Sequence, residues 1–349
     1  MSNPRVAVVA GDGVGQEVIP AGMRVLSAVT SLDFVELPWG SEYYERTGTM
    51  MPADALDILG DVDAIYLGAV GWPTVPDHVS LWGLLLPIRK AFEQYVNLRP
   101  VRLLPGVRGP LAGRGPDDVD MLFIRENTEG EYSGTGGRVH TGTPLEVAVE
   151  VSVFTRAAVE RVARFAFERA RERSGSLISV TKSNASRFTY VLWDEVVAET
   201  AADFPDVTVQ RVHVDAMAAR MVLRPDSVDV VVASNLFADI LTDLGAALQG
   251  GLGLAASANL NPERRHPSMF EPVHGSAPDI AGMRRANPLG AILAGALMLA
   301  HLGQTEAASR VEAAVAHVAK AGETLTGDLG GTASTLEVTD AVIAALPPA

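Results

Sequence analysis

The stretch Asp229–Gly245, DVVVASNLFADILTDLG, constrains this chain most. Val230, Val231 and Val232 form a β-branched run ending at the turn residues Ser234 and Asn235, the pattern of a buried strand. Leu236, Phe237, Ile240, Leu241 and Leu244 then recur at helical spacing. A strand feeding straight into a helix is the building unit of an α/β fold. Asp239 and Asp243 lie four apart, so their carboxylates leave one helix face about one turn apart. Like charges at that spacing repel by roughly a few tenths of a kcal/mol. A divalent cation that prefers oxygen relieves the repulsion. The plainer alternative is a solvated helix face.

The same alternation runs along the chain. Arg5–Val9 reads as a strand, Gly11-Asp12-Gly13-Val14-Gly15 as a tight turn and Val18–Ala28 as a helix. The glycine pattern lacks the glycine at 16 that a dinucleotide fingerprint needs, and no P-loop pattern occurs. Ala64–Leu67 reads as a strand. Trp82–Tyr95 reads as a helix, ended by Asn97-Leu98-Arg99-Pro100. Val119–Arg125 is a strand running into ENTEGEYSGTGG, a polar, glycine-rich loop. Val147, Val149, Val151 and Val153 alternate cleanly, as in one leg of a protruding hairpin. Thr155–Arg173 is an amphipathic helix closed by Gly175. Strands follow near 177–180, 207–212 and 228–232. Residues 263–282 are turn-rich, and 289–302 and 305–321 are helical in pattern.

Composition narrows the function. The net charge of −14 argues against nucleic acid or an anionic membrane as partner. The chain has no cysteine, so thiolate chemistry and cysteine-held metals are excluded. The apolar run Leu289–Leu302 is too short to span a bilayer. No signal-peptide pattern precedes the first strand, so a cytoplasmic location is expected. Of the 28 basic residues only Lys90, Lys182 and Lys320 are lysines, which draws attention to Lys182 at a strand end. Arg89 and Arg99 flank a helix and Arg125 ends a strand. Three converging arginines suit a di- or tricarboxylate, though each alone is as readily a structural ion pair. Tyr132 lies in a glycine-rich loop, and Asp215 follows a strand.

Six runs together carry a resemblance: NLRP, RENTEGEY, TKSN, VDAM, SNLFADILTDLG and FEPVHGSAPDIAG. In this order and spacing the chain resembles the isocitrate/isopropylmalate dehydrogenase family, metal-dependent β-decarboxylating dehydrogenases of (R)-2-hydroxy dicarboxylates. The stretches EYYERTGTMMP, GAVGWPTVPDHVSLWG and SANLNPERRHPSMFEPVHGSAPD are most similar to its tartrate/D-malate dehydrogenase branch. Trp82 stands where isopropylmalate dehydrogenases typically carry a glutamate. Leu84 stands where the D-malate branch has a smaller residue, and both positions bear on the preference at C3.

The resemblance implies two α/β domains around a large mixed sheet, unlike Rossmann: 1–97 plus 252–349 for cofactor binding, 98–251 for dimerisation and the metal. The active cleft would lie between them. It implies Mg²⁺ or Mn²⁺ held by Asp215, Asp239 and Asp243, and leaves open whether K⁺ assists. Lys182 would take the hydroxyl proton, Tyr132 would protonate C3, and Arg89, Arg99 and Arg125 would bind the substrate carboxylates. The cofactor loop would comprise His274, Gly275, Ser276, Ala277 and Asp279, with Asn287. A carboxylate at Asp279 accepts from ribose hydroxyls but repels a 2′-phosphate, so NAD is expected over NADP. A homodimer with shared active sites is implied, Lys182 and Asp215 reaching the partner's cleft. The expected reaction is oxidative decarboxylation of D-malate, tartrate or both. The alternative within the family is 3-isopropylmalate or homoisocitrate. A ligand-binding regulatory subunit is disfavoured because no metal, tyrosine or lysine position is lost.

Overall fold

The strands explain where side chains of distant segments meet. A computed structural model describes residues 3–348. In chain order the strands are β1 (Arg5–Gly11), β2 (Asp33–Glu36), β3 (Ala64–Ala69), β4 (Val96–Arg102), β5 (Asp120–Glu126) and β6 (Gly130–Val139). They continue with β7 (Val147–Val153), β8 (Ser176–Thr181), β9 (Thr208–His213), β10 (Val230–Ala233), β11 (Ala256–Leu260) and β12 (Ser268–Pro272). The chain divides into two compact units. The first holds the described residues up to Gln94, Arg99–Val119, and those from Ala246 onward; the second holds Tyr95–Leu98 and Asp120–Gly245. The expected boundaries differ from this at 95–97, 99–119 and 246–251. The amide of Leu103 bonds the Val119 carbonyl, and Arg102 N bonds the Gln249 side chain, which closes 99–119 on itself and ties it to 246–251.

In the first unit the order is β2-β1-β3-β12-β11. All neighbours are parallel except β11 and β12, so the sheet is mixed. β3 and β12 are buried along their whole length, which explains their lack of apolar–polar alternation. The helix Leu289–His301 packs on this sheet and is apolar almost all round. A Cβ at Gly295 would lie 2.8 Å from Leu26, so glycine permits close approach to the helix Gly15–Val29. No helix among the described residues is long and apolar enough to cross a membrane.

In the second unit β5-β10-β8-β9 are all parallel. The helix Arg156–Glu172 starts at Thr155, whose side chain accepts from Ala158 N, and Gly175 at φ 73° turns the chain beyond it. β6 and β7 form a separate antiparallel hairpin.

Three local expectations are corrected. The helix expected over Trp82–Tyr95 is a π-turn, Leu81–Leu85, followed by an α-segment ending at Ala91. Glu93 at φ 45° breaks it, and Asn97-Leu98-Arg99-Pro100 lies inside β4. The glycine-rich segment after Glu126 is largely strand β6, because β7 supplies the pairing that glycine's own propensity does not. The turn-rich stretch 263–282 contains the buried strand β12, with Pro272 as its last residue.

His301 closes its helix, with its ring centroid 5.5 Å from that of Phe270. Burial, and then nearby Arg264, push the imidazole down to about 4. The unfolded chain, with its imidazole near ~6.5, therefore binds the proton first as pH falls. The stability contributed is complete above pH ~6.5 and is lost between there and about 4, on the order of 2–3 kcal/mol in all. Urea unfolding of His301→Leu beside the parent should show a flatter stability profile across that window.

Candidate active site

Parallel strands put their carboxyl ends on one edge, where α/β proteins build sites. In the second unit, Arg125 near the end of β5 is in register with Ala233 at the end of β10. The helix Asn235–Leu248 begins two residues later. Its first residue meets Arg125: Arg125 Nε donates to Asn235 Oδ1 at 2.9 Å and Nη2 to the same oxygen at 2.8 Å. Arg125 Nη1 is ion-paired with Asp239, one turn along. Tyr132 Oη donates to the other Asp239 oxygen at 3.2 Å. The Arg125 guanidinium carbon lies 5.6 Å from the centre of the Tyr132 ring. Asn235 Nδ2 donates to the Glu129 carbonyl at 3.0 Å, fixing the loop that carries Tyr132. Asp243 is exposed on the same helix.

Lys182 and Asp215 form a second pair on the same edge. Thr181 at the end of β8 is in register with His213 at the end of β9, so the residues just beyond them are neighbours. The Lys182 ammonium donates to Asp215 in the first turn of the helix Val214–Leu223. That hydrogen bond, with a backbone bond and the positive charge, holds the exposed Asp215 carboxyl below the usual carboxylate range. Among the described residues, no three His, Asp or Glu side chains gather to hold a metal. Asp239 and Asp243 offer hard oxygen donors of the kind Mg²⁺ and Mn²⁺ prefer, and one carboxylate already faces a cation. These two carboxylates therefore fit such an ion in kind.

In the first unit Arg89 is buried. Its Nη2 pairs with Glu271 Oε1 at 2.8 Å, and its Nε is buried without a partner. Asn259 Nδ2 donates to the same Glu271 oxygen at 2.8 Å. Arg99 is buried on β4. Leu84 is fully buried in a core cluster with Trp39, Met50 and Leu67, so it does not reach a substrate from there. Trp82 is exposed, with the Lys90 amine 4.8 Å from its ring centre.

The expected cofactor loop lines a cavity of about 530 Å³ through His274, Gly275, Ala277 and Asn287, together with Asp328 and Gly253. Asn287 Oδ1 accepts from Leu289 N at 3.0 Å, starting the next helix, and its Nδ2 donates to Asp328 at 2.9 Å. A Cβ at Gly253 would meet Asp328 Oδ2 at 2.6 Å and Asn287 Cβ at 2.8 Å, so the cradle requires glycine there. His274 Nδ1 lies 3.0 Å from the Gly275 carbonyl, while Nε2 is buried with no partner. Burial holds this imidazole below its ordinary pKa, so it is neutral near pH ~7. A buried orphan ring nitrogen beside a roomy cavity fits a nucleotide base. Ser276 is buried, and its carbonyl accepts from Val14 N at 2.9 Å. Asp279 is exposed on the turn and does not line the cavity.

The geometry shows three contributors that the sequence pattern did not mark. Asn235 orients Arg125, and Asp328 anchors Asn287. Asp12, inside the turn 11–15, is a buried clamp: Ser41 N, Ser41 Oγ and Gly71 N all donate to it at 2.7 Å. The only hint was an acidic residue set between turn glycines.

The family profile described as isocitrate/isopropylmalate dehydrogenase matches residues 5–342. The chain belongs to that family. It is 53% identical over 353 residues to a probable tartrate dehydrogenase/decarboxylase of Agrobacterium vitis, covering 99% of this chain and 98% of the relative. It is 52% identical to the D-malate dehydrogenase [decarboxylating] of Escherichia coli (strain K12), with 98% of each covered. A 3-isopropylmalate dehydrogenase of Thermobifida fusca (strain YX) is 52% identical over 318 residues, covering 89% of this chain and 90% of the relative. The crystal structure of isocitrate dehydrogenase from Methylococcus capsulatus superposes with a TM-score of 0.91 at 34% identity, covering 98% and 99% of the chains. The fold and the enzyme class follow: this chain is a decarboxylating dehydrogenase acting on hydroxy acids.

Asp12 carries the turn beside the cofactor loop. Asp12→Ala strands three donors, two of them backbone amides, so it should cost ~3–5 kcal/mol in urea unfolding. An unchanged midpoint would show that Asp12 does not clamp the turn.

Proposed function

We propose that this enzyme catalyses the NAD-dependent oxidative decarboxylation of D-malate, tartrate or both, with a divalent metal. The observation that carries the reading is the contact of Arg125, Asp239 and Tyr132 at one strand edge, with the Lys182–Asp215 pair on the same edge of the sheet. Asp239 and Asp243, with Asp215, would hold Mg²⁺ or Mn²⁺. Bound there, such an ion lowers the pKa of the substrate hydroxyl and offsets the negative charge that grows on its oxygen. NAD supplies the hydride acceptor.

The chain's own residues do the rest. Lys182, once its ammonium has released a proton and stands as the neutral amine, would take the proton from the C2 hydroxyl oxygen, directly or through water. Arg89, Arg99 and Arg125 would bind the substrate carboxylates, Arg125 bridging to Asp239 as it does so. After the far carboxylate leaves as CO₂, Tyr132 Oη delivers a proton to C3. His274 and the carbonyl-rich loop around it would receive the adenosine half, with Asp279 accepting from the ribose and repelling a 2′-phosphate.

Two observations support a homodimer with shared sites. Asp215 joins no group of three metal donors within one chain. The hairpin β6–β7 exposes Val139, Leu145, Val147, Val149 and Val151, an apolar patch suited to a partner's surface. Sedimentation at assay concentration should give a dimer, and an active monomer would overturn this part. The second reading, 3-isopropylmalate, rests on the Thermobifida relative; Trp82 in place of the family glutamate weighs against it.

The decisive assay follows nicotinamide absorbance with D-malate, tartrate, 3-isopropylmalate and isocitrate, each with NAD and Mn²⁺. D-malate or tartrate should exceed 3-isopropylmalate by ~10-fold or more in kcat/KM. A chelator should abolish turnover and added Mn²⁺ should restore it. Lys182→Met should lower kcat by ~10²–10⁴-fold; unchanged turnover removes Lys182 from the mechanism. Asp279→Ala should narrow the preference for NAD over NADP, and a lower KM for NADP in the parent enzyme would reject the ribose role.

A further inference from the structure

Tyr132, the proton donor proposed above, sits where its strand is least regular. It is the third residue of β6, and the pairing of β6 with β7 shifts register between Gly130 and Thr135. The segment leading into it, 127–129, belongs to no helix or strand. One buried carboxylate holds that segment. Glu126, the last residue of β5, is only 4% exposed. Its Oε1 accepts from Thr128 N at 2.9 Å and from Thr128 Oγ1 at 2.7 Å, and its Oε2 accepts from Glu129 N at 2.9 Å. Arg161 Nη2 donates to the same Thr128 hydroxyl oxygen at 3.0 Å. The Glu129 carboxylate in turn accepts from Thr155 N and Thr155 Oγ1, each at 2.7 Å. Burial pushes the Glu126 carboxyl up from its ordinary pKa, and its hydrogen bonds to Thr128 and Glu129 act against that. Both oxygens of a group that is costly to bury thus go to the residues leading into Tyr132.

We propose that Glu126 is a positioning residue for the protonation step: by pinning Thr128 and Glu129 it sets where Tyr132 Oη stands. This role presupposes that Tyr132 is the acid, as proposed above. In that step the C=C electron pair of the enolate takes the Tyr132 proton at C3. The O–H bond breaks as the C–H bond forms, and solvent reprotonates the phenolate. An error of about 1 Å in the donor costs such a transfer ~10²-fold. Glutamine cannot stand in for Glu126. Whichever way its amide turns, the NH₂ faces a backbone N–H, either that of Thr128 or that of Glu129.

Two measurements on the full-length enzyme test it. The first is exchange of the pyruvate methyl hydrogens in D₂O, followed by proton NMR with Mg²⁺ and NAD, which runs the C3 step without hydride transfer. The parent enzyme should exchange, Tyr132→Phe should lose the exchange, and Glu126→Gln should slow it ~10–10²-fold. The second is D-malate turnover. C3 is protonated after CO₂ has left, so a fault confined to that step lowers kcat and KM together and spares kcat/KM, whereas loss of folded enzyme lowers kcat and kcat/KM alike. Glu126→Gln should show the first pattern. Thr128→Val, which removes the hydroxyl and leaves the carboxylate, should move both readouts the same way by several-fold and decides the matter if Glu126→Gln does not fold. Exchange absent in the parent or surviving in Tyr132→Phe would overturn the acid itself. Exchange lost in Tyr132→Phe but kept at the parent rate in Glu126→Gln, or kcat and kcat/KM falling together there, would overturn the Glu126 role alone.

Discussion

One buried cation organises the second unit's site. The Arg125 side chain is only 3% exposed and divides its donors between the Asn235 carbonyl and the Asp239 carboxylate. A charge in that position is tolerable only if fully partnered; removing one partner of a buried pair typically costs ~3–5 kcal/mol. The two partners lie four residues apart on one helix, so together they fix its rotation about its own axis. That rotation sets the direction of Asp243, a further turn on. The lock also leaves Asp239 bonded on both oxygens, one to Arg125 and one to Tyr132. Chemistry that needs Tyr132 and Asp239 side by side therefore inherits its precision from a structural ion pair.

Strand polarity accounts for the rest of the convergence. β5, β10, β8 and β9 run the same way, so whatever follows each of them gathers on one edge. Arg125, Asn235, Lys182 and Asp215 come from four such ends. In the first unit the cofactor cradle works differently. There the backbone does the positioning, and the side chains of Asn287 and Asp328 hold it against a glycine that nothing larger can replace.

Much of this was legible in the sequence because it is local. Val230–Val232 running into an amphipathic helix gave β10 and its successor almost to the residue, and the valine alternation at 147–153 gave β7. What stayed hidden depends on partners far away in the chain. Arg89 reads as a candidate carboxylate binder, and nothing local to it shows that it also pairs with Glu271, 182 residues on. The glycines after Tyr132 read as loop because propensity cannot register a pairing strand some 14 residues further along. Asp12 looked like turn decoration because its three donors come from Ser41 and Gly71. Leu84 invited a specificity role by position alone, and its complete burial removes it.

Charge accounting gives the metal reading a physical footing independent of motif. The ionic side chains assigned to the reaction in the second unit are two cations, Arg125 and Lys182, and three carboxylates, Asp215, Asp239 and Asp243. Each cation is already paired, Arg125 with Asp239 and Lys182 with Asp215. Asp243 brings the carboxylates to one more than the cations, and it is exposed on the helix face that Asp239 shares. On a chain of net charge −14 such a set repels a dicarboxylate rather than attracting it. One divalent cation changes the sign of the set, giving a substrate carboxylate something to approach. On the proposed function, then, the second helical aspartate is what brings the set to one carboxylate more than its cations, the excess that an external ion turns into an attraction.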